Sequence, residues 1–234
     1  MKKQYITRKG TFDSGHRVMN ERMKCFNMHG HTYLYELEFE FNSMEAIGYA
    51  IDFKEIKRVG CQWIDDMLDH GFIVNPKDDD VIKACQLTGS KIWYMSLNGS
   101  NQYCNPSAEN IAKEVFLAMF VLFMPYENLR IHKITLYETP NSYTTCTLES
   151  FDNTEWDNWM RHNKDGVDFY RDQKGVVEYD DRRISLEGNP KGNGLVDNFI
   201  KEEQSFSVKN TPNRRTDDQE AAAWKEYFKN NNHQ

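Results

Sequence analysis

Between His29 and Phe41 the chain alternates. His29, His31, Tyr33, Tyr35, Leu37, Phe39 and Phe41 share one parity, while Glu36, Glu38 and Glu40 share the other. That period of two predicts a strand with one buried and one solvated face. A first strand is expected from about Lys3 to His16, with Phe12, Ser14 and His16 on one parity, and the segment from Val18 to Met28 joins the two as a hairpin. Asp52 can cap a helix whose apolar positions, Phe53, Ile56, Val59, Trp63, Ile64, Met67 and Leu68, recur at the 3.6-residue period. Ser107 can cap a second helix through Ile111, Val115, Leu122 and Phe123. Between them, residues 77–104 mix a short helical stretch with a strand-like run at Ile92, Trp93, Tyr94 and Met95. Residues 131–138 read as a strand, 139–142 as a turn and 143–148 as its antiparallel partner. The order strand, strand, helix, helix, strand, strand predicts an α+β fold, with antiparallel pairs and helices on one face.

After Leu148 the character of the chain changes. Asn, Asp, Gly, Lys and Arg dominate from Glu149 to Gln234, with scattered aromatics that include Phe151, Trp156, Trp159, Tyr170 and Trp224. Residues 1–148 are therefore read as one domain and residues 149–234 as an extension, partly ordered and of no assignable role. Thr216 to Gln219 fits a capping box, followed by a helical stretch with Trp224, Tyr227 and Phe228 on one side. Two readings stand for the extension: a segment packed on the core or on a neighbouring subunit, or an arm that binds a partner.

The formal charge of −7 argues against nucleic acid or anionic membrane as a partner, since both require a basic surface. The longest apolar stretch, Val115 to Pro125, is too short to cross a bilayer. The first residues lack the apolar run of a signal peptide. Five widely spaced cysteines, an odd number, suit free thiols in a reducing, cytoplasmic setting.

The candidate chemistry gathers at Cys25, His29, Gly30 and His31, with His16 upstream. Residues two apart on a strand point the same way, so His29 and His31 project together, and a hairpin partner can bring His16 beside them. Three imidazoles without a fourth protein ligand describe a catalytic zinc site, whose open position takes water or substrate. A His-x-His pair on a strand can equally be plain imidazole at a surface or in a core. Parity favours the metal, because the pair continues the apolar row of Tyr33, Tyr35 and Leu37. Each buried imidazole left unsatisfied would cost about 1–3 kcal/mol. Gly30, between the histidines, allows a close approach to the backbone.

These residues carry a resemblance. Cys-Phe-Asn-Met-His-Gly-His at 25–31 is similar to the Cys-x-x-x-His-Gly-His signature of 6-carboxy-tetrahydropterin synthases. Their relatives, the 6-pyruvoyl-tetrahydropterin synthases of animals, usually have a longer cysteine-to-histidine spacing. Phe12 to Arg17 resembles the segment with the family's first zinc histidine, and Asp52-Phe53 its helix start. Leu68-Asp69-His70 followed by Val74-Asn75, Asn105 to Asn110, and Tyr137 to Pro140 resemble three further motifs, all in family order.

The resemblance implies a tunnelling fold: a four-stranded antiparallel sheet with two helices on one face, subunits closing a barrel in a homo-oligomer. It implies Zn2+ on His16, His29 and His31, with Cys25 as a general base or acid. Asp69 and His70 would form a second acid/base pair, which in this family can come from a neighbouring subunit. Glu138 would anchor the amino-pyrimidine edge of a pterin triphosphate, with Ser107 and Glu109 as further substrate contacts. From the residues alone, Glu138 shares parity with Ile134 and Leu136 and so belongs to a buried-looking face, or it simply ends its strand at solvent. Ser107 and Glu109 can equally be a helix cap and a first-turn charge.

The implied reaction converts 7,8-dihydroneopterin triphosphate to 6-carboxy-5,6,7,8-tetrahydropterin, losing triphosphate and acetaldehyde, on the way to 7-deazaguanine compounds such as queuosine. One rival stops at triphosphate elimination, giving 6-pyruvoyl-tetrahydropterin. Another is a non-catalytic pterin- or metal-binding scaffold, for which Cys25, Asp69 and His70 would be superfluous.

Overall fold

The computed structural model describes residues 3–174 apart from 20, 21, 23, 45, 47 and 98–103. The expected capping box at Thr216 and the stripe at Trp224, Tyr227 and Phe228 lie outside the described residues. β1 (Gln4–His16) and β2 (His29–Phe41) pair antiparallel over their whole length, from Gln4 opposite Phe41 to His16 opposite His29. Their inner face carries Phe12, Tyr33, Tyr35, Leu37 and Phe39, all buried, as the alternation requires. β5 (Leu129–Thr139) joins the free side of β2, and β6 (Ser142–Cys146) joins β5, both antiparallel.

The expected four-stranded antiparallel sheet is corrected here to a mixed sheet of six strands, in the order β4-β3-β1-β2-β5-β6. β3 (Gly71–Val74) pairs parallel to the end of β1, and β4 (Lys91–Tyr94) parallel to β3. α3 (Asp79–Thr88) supplies the crossover that a parallel pair needs. β3 escaped the pattern because four residues ending in three consecutive apolar ones display no period, and its neighbours are remote in sequence.

The helical layer begins at Asp52, whose side chain accepts from the Lys54 N–H at 2.7 Å and caps α1 (Phe53–Ile56). A π-turn (Lys57–Cys61) then leads into α2 (Gln62–Met67). Ile56, Val59, Trp63, Ile64, Met67 and Leu68 face inward, but Phe53 does not; it is exposed. A Cβ at Gly60 would lie 3.0 Å from both Met119 and Phe123, so glycine lets the π-turn press against the second long helix. That helix, α4 (Ala108–Phe123), is capped by Ser107 and packs on β5 and β6.

α4 is buried on nearly every side, which an ordinary surface helix is not. The cover is α5 (Asn153–Lys174), which lies in the extension after Leu148. Trp156, Trp159, Val167 and Tyr170 join the main core, and polar ties run along the whole contact. Lys113 pairs with Glu155 at 2.6 Å, the Tyr170 hydroxyl donates to Asp66 at 2.6 Å, and Arg171 donates to the Val121 carbonyl at 3.1 Å.

At the centre of this contact is Glu114, 1% exposed. Its carboxylate accepts from the indole N–H of Trp159 at 2.6 Å, that of Trp93 at 3.2 Å and the Ser96 N–H at 2.8 Å. Burial, only partly offset by these bonds, pushes the Glu114 pKa up from 4.5 to about 7. Between those two values the native state holds a proton that the unfolded chain releases, so stability falls as pH rises across that window. Urea unfolding followed from pH 5 to pH 8 should show this decline, and Glu114→Gln should flatten it.

Candidate active site

The β1–β2 register puts His16 opposite His29, and the two-residue repeat puts His31 on the same face. Their ligand-capable nitrogens all lie within 4.8 Å of one another. His16 is buried; His29 and His31 are half-buried, so the trio sits where the inner face of the hairpin reaches solvent. Gly15 and Gly30 pair between the histidines. The close approach expected at Gly30 is made by the chain itself: a Cβ there would lie 3.1 Å from the Ser14 carbonyl oxygen.

Two of the rings are locked in tautomer. His16 Nδ1–H donates to the Pro106 carbonyl at 2.6 Å, and His29 Nδ1–H to the Asn27 carbonyl at 2.7 Å. Each neutral ring then presents an unprotonated Nε2, and these two atoms lie 3.1 Å apart. Lone pairs at that separation repel unless a cation lies between them. Burial holds the His16 pKa below its ordinary value, which disfavours a proton on that ring. A divalent metal fits: backbone carbonyls orient the imidazoles by the far nitrogen, the arrangement usual for ligating histidines.

Glu138 joins this group, its Oε1 being 3.7 Å from Nε2 of both His16 and His31. It sits where the β5–β6 register shifts between Tyr137 and Thr139, a bulge of the kind that re-aims side chains. The side chain is 26% exposed, so it neither ends in bulk solvent nor vanishes into the core. Tyr33, fully buried, stands edge-on to both His16 and His31 and forms the floor. Burial first, then the nearby Glu138 and Cys25, holds its phenol well above the ordinary range, so it stays neutral. In the sequence Tyr33 is one of the apolar row, and its parity with His29 and His31 is the signal for its place at the site.

Cys25 lies on a short 3-10 turn (Lys24–Phe26), half-buried, its carbonyl accepting from the Val18 N–H at 2.8 Å. Ser107 is engaged as the N-cap of α4, accepting from the Asn110 N–H at 3.5 Å, and Glu109 is exposed on the first turn. Both thus do at least what a helix start asks of them. Asn105, two residues before Ser107, ties the neighbouring loops: its side-chain oxygen accepts from the Met19 N–H and from Asn75, each at 3.0 Å.

Asp69 and His70 are brought together, but elsewhere. His70 Nδ1–H donates to Asp69 at 2.5 Å, raising the imidazole pKa above its ordinary value. Both are bound to the backbone of Asp13: the Asp13 N–H donates to Asp69 and the His70 N–H to the Asp13 carbonyl, each at 2.6 Å. Those bonds hold His70 at φ 54, a left-handed conformation costing on the order of 1 kcal/mol for a residue with a Cβ. Asp13 and its cross-strand neighbour Thr32 point from the opposite face of the hairpin to the three histidines. Lys91 secures the turn from behind, donating to the Asp69 carbonyl at 2.5 Å.

If Asp69 is what raises His70, Asp69→Asn should bring its titration midpoint down toward the ordinary 6.5. Proton NMR of the His70 ring against pH measures this directly. An unchanged midpoint would show that the pair is not made in solution.

Residues 5–149 match the family described as 6-pyruvoyl tetrahydropterin synthase. A protein of Rickettsia felis named 6-carboxy-5,6,7,8-tetrahydropterin synthase is 37% identical over 140 residues, covering 58% of this chain and 95% of the relative. One of the same name from Rickettsia conorii is 36% identical over 140 residues, with the same coverage. A solved structure from Wolinella succinogenes superposes with a TM-score of 0.48 at 20% identity, covering 63% of this chain and 99% of that one. On the family match over most of its length, this chain belongs to the 6-pyruvoyl tetrahydropterin synthase family and is an enzyme of the lyase type.

Proposed function

We propose that this enzyme converts 7,8-dihydroneopterin triphosphate to 6-carboxy-5,6,7,8-tetrahydropterin, with loss of triphosphate and acetaldehyde, as a step toward 7-deazaguanine compounds such as queuosine. The observation that carries the reading is the convergence of His16, His29 and His31, with two Nε2 atoms left facing each other beside Glu138. The name borne by the Rickettsia relatives and the Cys25-to-His29 spacing favour the carboxy product over the pyruvoyl one.

On this reading His16, His29 and His31 hold Zn2+. When bound, the ion is a Lewis acid that lowers the pKa of a substrate hydroxyl and polarises a developing carbonyl. The remaining work falls to the chain. Glu138 takes the paired donors of the amino-pyrimidine edge and so fixes which end of the pterin meets the imidazoles. Tyr33, neutral and buried, closes the floor against water. Cys25 takes or returns the side-chain proton, and Ser107 and Glu109 contact substrate at the start of α4. Asp69 accepts from His70 Nδ1–H and holds that proton in place, leaving Nε2 to exchange one with substrate.

Because the dyad and the imidazoles use opposite faces of one hairpin, we assign the dyad to the site of a neighbouring copy in a homo-oligomer. Among the described residues β4 and β6 are the edge strands of the sheet, where such an assembly could pair. Every proposed site residue falls within residues 1–148, the catalytic domain on this reading. Residues 149–234 then serve as an extension, of which α5 braces the helical layer. The free thiols fit a cytoplasmic enzyme, and among the described residues no helix is long and apolar enough to cross a membrane.

Purified protein should carry about one zinc per chain, and His29→Ala should lose most of it by elemental analysis. Full occupancy in that variant would remove the ligand assignment. Cys25→Ala should keep its zinc while turnover falls about 10²–10⁴-fold. Mass spectrometry of the products from dihydroneopterin triphosphate should show the 6-carboxy compound; accumulation of 6-pyruvoyl-tetrahydropterin alone would move the assignment to triphosphate elimination.

A further inference from the structure

Arg17 follows His16 directly but leaves the strand and turns to a different partner. Its Nε–H donates to Asp78 Oδ2 at 2.7 Å and an Nη2–H to Oδ1, a two-point fork on a carboxylate only 2% exposed. Asp78 is itself fixed, since the same carboxylate caps α3 by accepting from the Val81 N–H at 3.3 Å. A guanidinium held at two points on a buried partner keeps few rotamers, and its flat face becomes a fixed platform. The guanidinium carbon stands over the ring of Phe26, 5.0 Å from its centroid.

Phe26 is the residue after Cys25, in the same short 3-10 turn. A turn of three residues has little stability of its own, so external ties must set where its side chains point. Backbone ties hold it as well, among them the Val18 N–H to the Cys25 carbonyl at 2.8 Å and, just beyond the turn, His29 Nδ1–H to the Asn27 carbonyl at 2.7 Å. Both act on backbone. The contact with Arg17, by contrast, grips a side chain next to the thiol.

We propose that Arg17, clamped by Asp78, is a positioning residue that sets the place of the Cys25 thiol by holding the ring of Phe26. The inference rests on the proposed proton-transfer role of Cys25, for which a displacement of about 1 Å can cost on the order of 100-fold in rate. It assigns Arg17 no contact with substrate. Arg17→Lys keeps the charge but loses both the fork and the flat platform, so charge alone should not rescue it.

Phe26 is exposed enough that changing it spares the core, which makes Phe26→Ala the principal variant. Two readouts are taken on the full chain. One is the rate of alkylation of Cys25 by iodoacetamide, mapped by peptide mass spectrometry with half-buried Cys61 as the internal reference. The other is kcat and KM with dihydroneopterin triphosphate. In Phe26→Ala and in Arg17→Lys, Cys25 alkylation should accelerate about tenfold with Cys61 unchanged, and kcat should fall at least about tenfold while KM stays within about threefold. Phe26→Tyr, which keeps the ring, should restore both. Wild-type alkylation of Cys25 in Phe26→Ala overturns the inference whatever happens to turnover, and so does an equal acceleration at Cys61, which marks general loosening. Full turnover in Cys25→Ala would instead defeat the role given to Cys25, and the alkylation comparison would still decide whether Arg17 and Phe26 hold its turn.

Discussion

The antiparallel pairing of β1 with β2 carries the site on its final pairs, His16 opposite His29 and Ser14 opposite His31. A slip of one residue would turn the histidine row to the face of Glu36, Glu38 and Glu40 and send the aromatics into solvent. The buried side chains of Phe12, Tyr33, Tyr35, Leu37 and Phe39 make such a slip prohibitive. Their burial, at about 1.5–3 kcal/mol per large apolar side chain, far outweighs any preference of the imidazoles for a particular register. The core therefore sets the register, and the register sets the imidazole geometry.

The same hairpin has a second functional-looking face. Asp13 and Thr32 emerge there, and the backbone of Asp13 clamps Asp69 and His70 in their strained turn. A site that used both the imidazoles and the dyad would need a second chain, because a strand cannot turn both faces toward one cavity. The strain at His70 is held by three separate hydrogen bonds, from Asp13, to Asp13 and from Lys91.

Beyond the family match, α5 changes how the helical layer is stabilised. α4 would present an apolar outer face to water without it. A buried carboxylate at Glu114 is a poor source of stability in itself, since desolvation consumes much of what its hydrogen bonds return. Its value is in specificity: only one placement of α5 brings the Trp159 indole onto it. Asp66 repeats the device at the far end, receiving the Tyr170 hydroxyl and the Lys174 ammonium.

Local chemistry along the chain was enough to determine much of this protein. The alternation at His29 to Phe41 specified β2 to the residue, Asp52 and Ser107 announced the helices they cap, and the parity of His29 and His31 with Tyr33 announced their common face. Such signals are legible because strand and helix periods and caps depend on neighbours a few residues away. The parallel strands β3 and β4 were not legible as part of the sheet, nor was α5, whose apolar positions are too sparse among polar ones to mark a helix. Arg17 finding Asp78, Glu114 collecting two indoles, and Glu138 arriving beside His16 all join residues tens of positions apart. No local period encodes such meetings. They exist only once the sheet and the helical layer have closed on each other, because burial then leaves each polar group only the partners that the packing brings within reach.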